Sequence, residues 1–322
     1  MATINTRHLV DPELVALLDL VPTIALSTEI LPDMRVPTRL PFPEASEAGK
    51  AVEMTRRTVP GPEGAPDVEV LVFIPPGTTD PVACIFHIHG GGYVMGAAGP
   101  QEPVHRTTAA RLGCVIVTVD YRLAPETVFP GAVEDCYAAL SWLFDNAGQL
   151  GVDPTRIGVM GESAGGGLAA GLALLARDRG RHRLAFQHLI YPMIDDRTCT
   201  AADPHPHVGE YIWTPHNNLF GWTALLGHEP GGEGVSPYAA AARAEDLAGL
   251  PPTFISTGAL DLFLEEDLEY ARRLIRAGVP TELHVYPGGF HGFDFHPSAH
   301  VASQARRDSA AALARFTATP EA

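Results

Sequence analysis

Short apolar runs alternate with helix-length segments over most of the chain. Each apolar run is about four to eight residues long and lies between turn residues, which is the pattern of a buried strand. Such runs occur at 52–59, 67–74, 82–88, 115–120, 156–160, 184–190, 253–257 and 281–286. Helical patterns cover 130–148 and 164–178, and a shorter one runs from the capping residue Asp11 to Leu20. This alternation predicts an α/β fold with a mostly parallel central sheet and helices on both faces.

The alternation fails in two segments. Prolines punctuate the chain up to about residue 47, and the stretch from 195 to 234 contains four histidines, several prolines and several aromatic residues. The second segment is predicted to be a helical insert, and in the simplest interpretation its aromatic side chains pack on the core. We therefore divide the chain into an N-terminal segment, a first core part, an insertion and a second core part, at 1–50, 51–195, 196–234 and 235–322.

The most specific motif is Gly-Glu-Ser-Ala-Gly at 161–165, which lies between the predicted strand 156–160 and the predicted helix 164–178. Gly-x-Ser-x-Gly in this context is a nucleophile elbow, a tight turn that needs very small residues two positions from the serine on each side. The turn strains the backbone of Ser163 and holds its hydroxyl clear of the sheet. The amides at the start of the next helix face the same point. Ser163 is therefore the candidate nucleophile.

A glycine-rich loop follows the predicted strand 82–88. His89 is succeeded there by Gly90, Gly91 and Gly92, whose backbone N–H groups can approach a ligand closely. An isolated run of three glycines would be interpreted as a flexible turn. Followed by a serine elbow, it predicts an oxyanion hole, whose preorganised amides stabilise the negative charge that develops in acyl transfer.

An activated serine needs a general base and a carboxylate that orients the base, and in this type of fold they follow the serine in the order Asp or Glu, then His. Asp261 comes shortly after the predicted strand 253–257, and His291 lies in a loop after the predicted strand 281–286. Both residues lie beyond the carboxyl ends of strands, where open α/β sheets place their sites. They are the candidate orienting carboxylate and general base.

Other ionisable residues near these motifs have simpler interpretations. Among the 14 histidines, His89 is expected to support the glycine loop rather than to transfer protons. His205 and His207 have a spacing that suits a metal, but no cysteine or carboxylate cluster accompanies them. We therefore expect solvated loop histidines and no metal site. Glu265 is a second acidic residue close to Asp261, although Asp261 has the expected offset from the strand.

The ordered set of motifs resembles the hormone-sensitive-lipase family, and more narrowly the bacterial family IV carboxylesterases with an α/β-hydrolase fold. The similarity covers roughly residues 50–320. It rests on His-Gly-Gly-Gly at 89–92, Asp-Tyr-Arg-Leu-Ala-Pro-Glu at 120–126, the elbow at 161–166, Asp261, and Phe-His-Gly-Phe at 290–293. The resemblance implies a serine carboxylesterase that acts on short- to medium-chain esters without a cofactor or metal.

The resemblance also implies a role for each member of the triad. Ser163 would be the nucleophile, His291 the general base and then the general acid, and Asp261 the carboxylate that orients His291. The segment 120–126 would be a structural signature that packs under the site.

The resemblance further implies an oxyanion hole and a cap. Gly91, Gly92 and Ala164 would supply the oxyanion-hole N–H groups. The N-terminal segment and the insertion would together form a helical cap over the active site, with some aromatic residues lining the substrate pocket. We take Tyr93 and Trp213 as the candidate substrate-binding residues.

Two positions depart from the family pattern. Glu162 stands in the elbow where the family more often has aspartate, which alters the support beneath the elbow without touching the triad. The family usually shows Asp-x-Leu-Arg-Asp-Glu after the carboxylate strand, whereas this chain has Leu-Phe-Leu-Glu-Glu after Asp261. The missing arginine calls a local ion pair of the family into question.

Composition restricts the class of protein. Hydrophobic residues make up 46% of the 322 residues and charged residues 19%, which is typical of a globular protein with a large core. The formal net charge of −16 disfavours nucleic acid and anionic membrane surfaces as partners. No apolar run approaches the length of a membrane span, and residues 1–10 lack the pattern of a signal peptide. We expect a small-molecule ester as the partner and no membrane association, and a homodimer is compatible with the sequence.

The chain has four cysteines without a Cys-x-x-Cys spacing. Two of them fall in apolar strand-like runs, so buried free thiols are expected. Free thiols suit a reducing compartment, and we therefore expect a cytoplasmic protein.

Two other function classes remain open. A non-catalytic receptor on the same scaffold, such as the plant gibberellin receptors, has lost the triad histidine, whereas Ser163, Asp261 and His291 are all present here. An arylformamidase-like amide hydrolase would use the same triad, and the sequence does not distinguish it from an esterase.

Overall fold

The fold is built on one twisted sheet with helices on both sides. The computed structural model describes residues 5–20, 23–36, 43–77 and 80–319. Within these ranges the strands are β1 Glu53–Val59, β2 Val68–Ile74, β3 Val82–Ile88, β4 Val115–Asp120, β5 Val152–Glu162, β6 Gln187–Ile190, β7 Thr253–Gly258 and β8 Thr281–Tyr286. Their order in the sheet is β1-β2-β4-β3-β5-β6-β7-β8. β2 is antiparallel to both of its neighbours, and all other neighbouring strands are parallel.

Helices connect the parallel strands, as parallel pairing requires. In the described ranges they are α1 Val15–Leu20, α2 Leu31–Met34, α3 Glu47–Lys50, α4 Glu102–Leu112, α5 Gly131–Asp145, α6 Ala164–Arg179, α7 Pro215–Leu226, α8 Leu264–Arg276 and α9 His300–Thr317. Short 3₁₀ helices lie at Arg7–Leu9, Ala147–Leu150, Thr198–Thr200, Ala241–Arg243 and Phe293–Phe295. None of the helices in these ranges is both long and apolar enough to cross a bilayer.

The two faces of the sheet bury separate apolar clusters because successive side chains of a strand point to opposite sides. Phe86 of β3 belongs to the larger cluster together with Leu172 of α6. The preceding residue, Ile85, belongs to a second cluster with Ala109 of α4 and Leu313 of α9. The sheet is therefore covered by α6 on one face and by α4 and α9 on the other. These contacts confirm the predicted α/β class.

Several predicted element boundaries were wrong. The first helix begins at Val15 rather than Asp11, and β6 begins at Gln187 rather than at 184. β5 is longer than predicted because it extends back to Val152 through Asp153 and Pro154, which interrupt the apolar pattern. The predicted helix 130–148 is α5 followed by a separate 3₁₀ turn. α4, α8 and α9 were not among the predicted helices.

The N-terminal segment and the insertion are hydrogen bonded to each other. Asn217 in α7 accepts from the N–H of Leu26 at 2.9 Å and donates to the carbonyl of Ile24 at 2.8 Å. The hydroxyl of Thr6 donates to Glu210 at 2.7 Å. Residues 1–4, 21–22 and 37–42 of the N-terminal segment lie outside the described residues. The proposed division at 50, 195 and 234 stays a prediction.

The four cysteines form no disulfide. Cys84, Cys114 and Cys136 are buried free thiols, and Cys199 is partly buried. Burial raises the pKa of Cys114 to about 12 and that of Cys199 to about 11, which disfavours their reactive thiolate forms.

Candidate active site

The elbow between β5 and α6 holds Ser163 in a backbone conformation that residues other than glycine rarely adopt. Its φ is 56° and its ψ is −123°. A Cβ atom on Gly161 would lie 2.2 Å from the carbonyl oxygen of Gly165, and one on Gly165 would lie 2.1 Å from the carbonyl oxygen of Ile88. Only glycine fits at these two positions, which explains the spacing of the motif.

Backbone hydrogen bonds hold the strained residue in place. The N–H of Ser163 donates to the carbonyl of Ile190 at 2.9 Å. The carbonyl of Ser163 accepts from Gly167 at 3.0 Å and from Met193 at 2.9 Å. The surrounding structure therefore fixes the Ser163 backbone from three sides, as a strained residue at a functional site requires.

Ser163, His291 and Asp261 form one chain of hydrogen bonds. The Oγ of Ser163 lies 2.9 Å from Nε2 of His291, and Nδ1 of His291 lies 2.8 Å from Oδ2 of Asp261. The structure thus brings together the three side chains that the sequence analysis selected, from the ends of β5, β7 and β8. Their distances allow proton transfer from the serine to the histidine.

The other two members of the triad, Asp261 and His291, are enclosed by the protein. Asp261 is fully buried, and its second oxygen accepts from the N–H of Phe263 at 3.0 Å. The imidazole of His291 meets the ring of Tyr191 edge-on at a centroid distance of 4.7 Å and that of Phe263 at 5.2 Å. Glu265, the second acidic candidate, is exposed and has no described contact with His291. Asp261 is therefore the carboxylate placed to orient the base.

The glycine loop after β3 runs beside the elbow in an unusual backbone conformation. Gly91 and Gly92 have φ values of 123° and 62°. Residues on neighbouring elements fix the loop, because the hydroxyl of Tyr121 donates to the carbonyl of His89 at 2.9 Å and the two rings stack at 4.3 Å. His89 itself lies 2.8 Å, through Nδ1, from the carbonyl of Gly90. These contacts give His89 the supporting position that the sequence analysis expected.

Ala164 is the first residue of α6, so its N–H has no acceptor within the helix. Its position directly after Ser163 places this N–H at the elbow, next to the loop that contains Gly91 and Gly92. The assignment of these three N–H groups to an oxyanion hole stays a prediction.

The two candidate substrate-binding residues occupy different positions. Trp213 is 5% exposed, and its indole lies against Gly92, where an added Cβ would be 2.0 Å from Cη2. Its Nε1 donates to Asn218 at 3.1 Å. Tyr93 is 1% exposed, and its hydroxyl donates to the carbonyl of Met193 at 2.7 Å, so its phenol supports the glycine loop from within the core. Substrate contact by either residue stays a prediction.

We expect Gly92→Ala to lower kcat by about 10²- to 10³-fold, because the change would displace the N–H of residue 92. This is the usual effect of losing one oxyanion donor. The new methyl group would collide with Trp213, and alanine disfavours the positive φ of this residue. Steady-state kinetics on a p-nitrophenyl ester measure the effect. Gly99→Ala is the matched control, because a Cβ there meets nothing within 4 Å. Equal activity of the two variants would contradict the role of Gly92.

Glu162 connects the elbow to a set of polar residues that the sequence analysis missed. Its carboxylate lies 3.0 Å from Nε2 of His87, whose Nδ1 lies 2.9 Å from the hydroxyl of Thr118. Burial works against ionisation of Glu162, but the adjacent His87 and hydrogen bonds from His87 and Gln101 outweigh it and lower the pKa of this carboxyl. The polar residue His87 within the otherwise apolar β3 was the available signal.

The segment with the second departure from the family pattern also contains Glu266, which matches that pattern. Its Oε1 accepts from the N–H groups of Ile194 and Asp195 at 2.7 and 3.1 Å, which ties α8 to the segment after β6. Burial raises the pKa of Glu266 well above the usual range of a glutamate. Leu264 occupies the position of the family's arginine and is buried.

No group of three or more His, Cys, Asp or Glu side chains in the described residues could hold a metal ion. His205 and His207 are near each other, with a ring centroid distance of 6.0 Å, but no third ligand accompanies them there.

Comparison with known proteins shows related chains and folds. A family model described as alpha/beta hydrolase fold matches residues 85–295. Carboxylesterase NlhH of Mycobacterium tuberculosis is 36% identical over 319 residues, which cover 95% of this chain and 96% of the relative. Arylacetamide deacetylase of Bos taurus is 32% identical over 287 residues, covering 70% of this chain and 72% of the relative. The solved structure of a bacterial heroin esterase has a TM-score of 0.86 and 38% identity, covering 98% of this chain and 100% of that structure.

Proposed function

The chain belongs to the α/β-hydrolase family and is a serine carboxylesterase, and we propose that Ser163, His291 and Asp261 are the residues that perform its reaction. The observation that supports this assignment is the hydrogen-bonded chain from Ser163 through His291 to Asp261, which begins at the nucleophile elbow. We further propose membership of the hormone-sensitive-lipase group, which rests on the motifs at 89–92, 120–126 and 161–166.

The first half of the reaction forms an acyl-enzyme. His291 Nε2 takes the proton of Ser163 as Oγ attacks the carbonyl carbon of the ester. The carbonyl oxygen becomes negatively charged and accepts hydrogen bonds from the N–H groups of Gly91, Gly92 and Ala164. The bond to the alcohol oxygen then breaks, His291 returns the proton to the leaving alcohol, and the acyl group stays on Ser163.

The second half regenerates the enzyme. A water molecule takes the place of the alcohol, and His291 removes its proton as the water oxygen attacks the acyl carbon. The intermediate again places its negative oxygen against the same N–H groups. Collapse expels Oγ of Ser163, which recovers the proton from His291, and the carboxylic acid leaves. Asp261 holds His291 in the required tautomer and stabilises its positive charge in both halves.

We propose that the N-terminal segment and the insertion together cap this site. The hydrogen bonds of Asn217 and Glu210 to residues 6, 24 and 26 support this arrangement. Trp213, inside the insertion, lies against Gly92 and 6.4 Å from the His291 ring, which supports a place for it in the substrate pocket. Ser163 and His291 are each only 7% exposed beneath these elements.

The cap leads us to expect a preference for short acyl chains of about two to eight carbons, a range taken from the family resemblance. Each buried methylene gains about 0.8 kcal/mol until the pocket is full, after which crowding against the cap outweighs that gain. Specificity constants for p-nitrophenyl esters from acetate to palmitate measure this. Fastest turnover of palmitate, or a rise in rate when the substrate forms an emulsion, would instead indicate a lipase.

A second candidate is an arylformamidase-like amide hydrolase on the same triad. The similarity to a protein named arylacetamide deacetylase supports this second candidate. Parallel assays of an aryl ester and the matching N-formyl aryl amide distinguish the two. An esterase gives a much larger kcat/KM for the ester, and a larger value for the amide would favour the second candidate.

We also propose a cytoplasmic location, which the four free thiols support because such thiols persist in reducing compartments.

A further inference from the structure

A cavity of about 560 Å³ lies on the face of the sheet opposite α6, between α4 and α9. Its volume is in the range of sites for small organic molecules. Neither Ser163 nor His291 is among the described residues that line it. Two residues in its wall nevertheless touch the catalytic residues, since Glu162 precedes Ser163 and Tyr191 packs edge-on against His291.

The cavity has an apolar part and a polar end. Ile85, Ile116, Met160 and Leu313 line the apolar part. The remaining wall contains the acidic residues Glu44, Glu162 and Asp294, the basic residues Arg111 and Arg306, and neutral donors and acceptors. A cavity of this kind fits a molecule that has an apolar body and one polar head.

The charges at the polar end favour a cationic head. Asp294 accepts from the hydroxyl of Tyr191 at 2.8 Å. Two arginines, Arg111 and Arg306, also line the cavity. Arg306 directs its guanidinium to backbone carbonyls, including those of His296 at 2.7 Å and Pro297 at 3.0 Å, rather than to the Asp294 carboxylate. Burial raises the pKa of Asp294 to about 6, while the hydrogen bond from Tyr191 and the charge of Arg306 act in the opposite direction. Among the described residues no cation forms a direct ion pair with the Asp294 carboxylate, which accepts from Tyr191 instead, so a bound cation would stabilise its charged form.

A second feature of the cavity wall indicates an absent ligand. His105 is 4% exposed and lines the cavity, and its Nε2 has no hydrogen-bond partner in the described structure. Its ring meets that of His87 edge-on at 4.3 Å, next to Glu162. Burial lowers the pKa of His105 well below the usual histidine value, so the ring is neutral. Unpartnered buried polar atoms are uncommon, and a bound molecule is one way to satisfy them.

We propose that this cavity is a second binding site, separate from the acyl pocket, for a small amphipathic ammonium compound. The ammonium group binds Asp294 and Glu162, and the apolar body lies between the sheet and α9. A metal ion does not fit the same place, because no metal-binding cluster occurs among the described residues.

Occupancy of the site acts on the catalytic histidine through Tyr191. This residue has a φ of 35°, its N–H donates to the carbonyl of Ser256 at 2.6 Å, and its ring supports His291. An ammonium group at Asp294 competes with the Tyr191 hydroxyl for the same carboxylate. We therefore expect bound cation to lower kcat while KM for a small ester stays unchanged.

Calorimetric titration with 2-phenylethylammonium tests the proposal, with the neutral isostere 2-phenylethanol as the comparison. The titration uses enzyme whose active site is blocked by a covalent phosphonate, so that binding in the acyl pocket is excluded. We expect the cation to bind at least about tenfold more tightly than the alcohol, as one charge-assisted hydrogen bond provides. Equal affinities, or loss of cation binding on blocking the active site, would overturn the proposal.

Two variants locate the site. Ala310 lines the cavity in α9, and Ala310→Phe should fill it and abolish binding, whereas the exposed neighbour gives the matched control Ala311→Phe with unchanged binding. Asp294→Asn retains an acceptor for Tyr191 but removes the charge, and should weaken binding at least about tenfold. Thermal unfolding verifies that the variants are folded. Unchanged affinity in folded Ala310→Phe or in Asp294→Asn would refute the proposal, and a rise in KM with constant kcat would place the cation in the active site instead.

Discussion

Replacement of Ser163 by alanine is expected to lower kcat by about 10⁶-fold, the loss seen when a serine hydrolase loses its nucleophile. Without Oγ no acyl-enzyme can form, and His291 has no hydroxyl to deprotonate. The remaining rate would come from ester polarised by the glycine loop and attacked by water. The fold should be preserved, because backbone hydrogen bonds of Ser163 hold the elbow and do not use the side chain. Initial rates on p-nitrophenyl acetate, with enzyme concentration from absorbance, measure the change.

An exposed serine in the loop after His291 provides the control for this experiment. Ser298→Ala should keep its rate within about twofold, since substitutions of exposed residues outside the core and the active site have small effects. Activity of Ser163→Ala within tenfold of the unchanged protein would show that another residue attacks the ester.

Asp261→Asn is expected to lower kcat by about 10⁴-fold with little change in the fold. The carboxylate accepts a hydrogen bond from Nδ1–H of His291, and this tautomer leaves Nε2 free to accept the proton of Ser163. An asparagine side chain can present its NH₂ group there instead, which favours the wrong tautomer of the imidazole. The amide oxygen of the asparagine can replace the second carboxylate oxygen and still accept the hydrogen bond from the N–H of Phe263. Steady-state kinetics and circular dichroism of the purified variant measure both parts of the expectation.

Glu265→Gln is the matched change at the neighbouring acidic residue. Its side chain is exposed, so we expect kcat to change by less than about twofold. A larger loss from Glu265→Gln than from Asp261→Asn would transfer the orienting role to Glu265.

The sequence predicted the parallel sheet well because its central strands are buried on both faces and read as continuous apolar runs. The antiparallel position of β2 between β1 and β4 was not predictable in this way, since apolar periodicity contains no information on strand order. The predicted β5 was too short because Asp153 and Pro154 interrupt the apolar pattern at its start, where Val152 pairs with Val82 of β3. α4 was missed because only His105 and Ala109 of its eleven residues are buried, which leaves a weak pattern.

The candidate triad could be predicted because each member has a local signal in the chain. Ser163 lies in an elbow that requires glycine two positions away on each side, and Asp261 and His291 come shortly after strands. Contacts between distant segments had no such signal. The packing of Trp213 on Gly92 depends on how the folded chain brings remote residues together.

Covalent labelling of the nucleophile tests the central claim most directly. A p-nitrophenyl phosphonate is incubated with the protein, the intact mass is measured, and the modified peptide is sequenced by fragmentation. We predict one adduct per chain, on Ser163 in the peptide that contains Gly161 to Gly165, with activity lost in proportion to labelling. An adduct on any other residue, or full labelling with retained esterase activity, would contradict the assignment of Ser163 as the nucleophile.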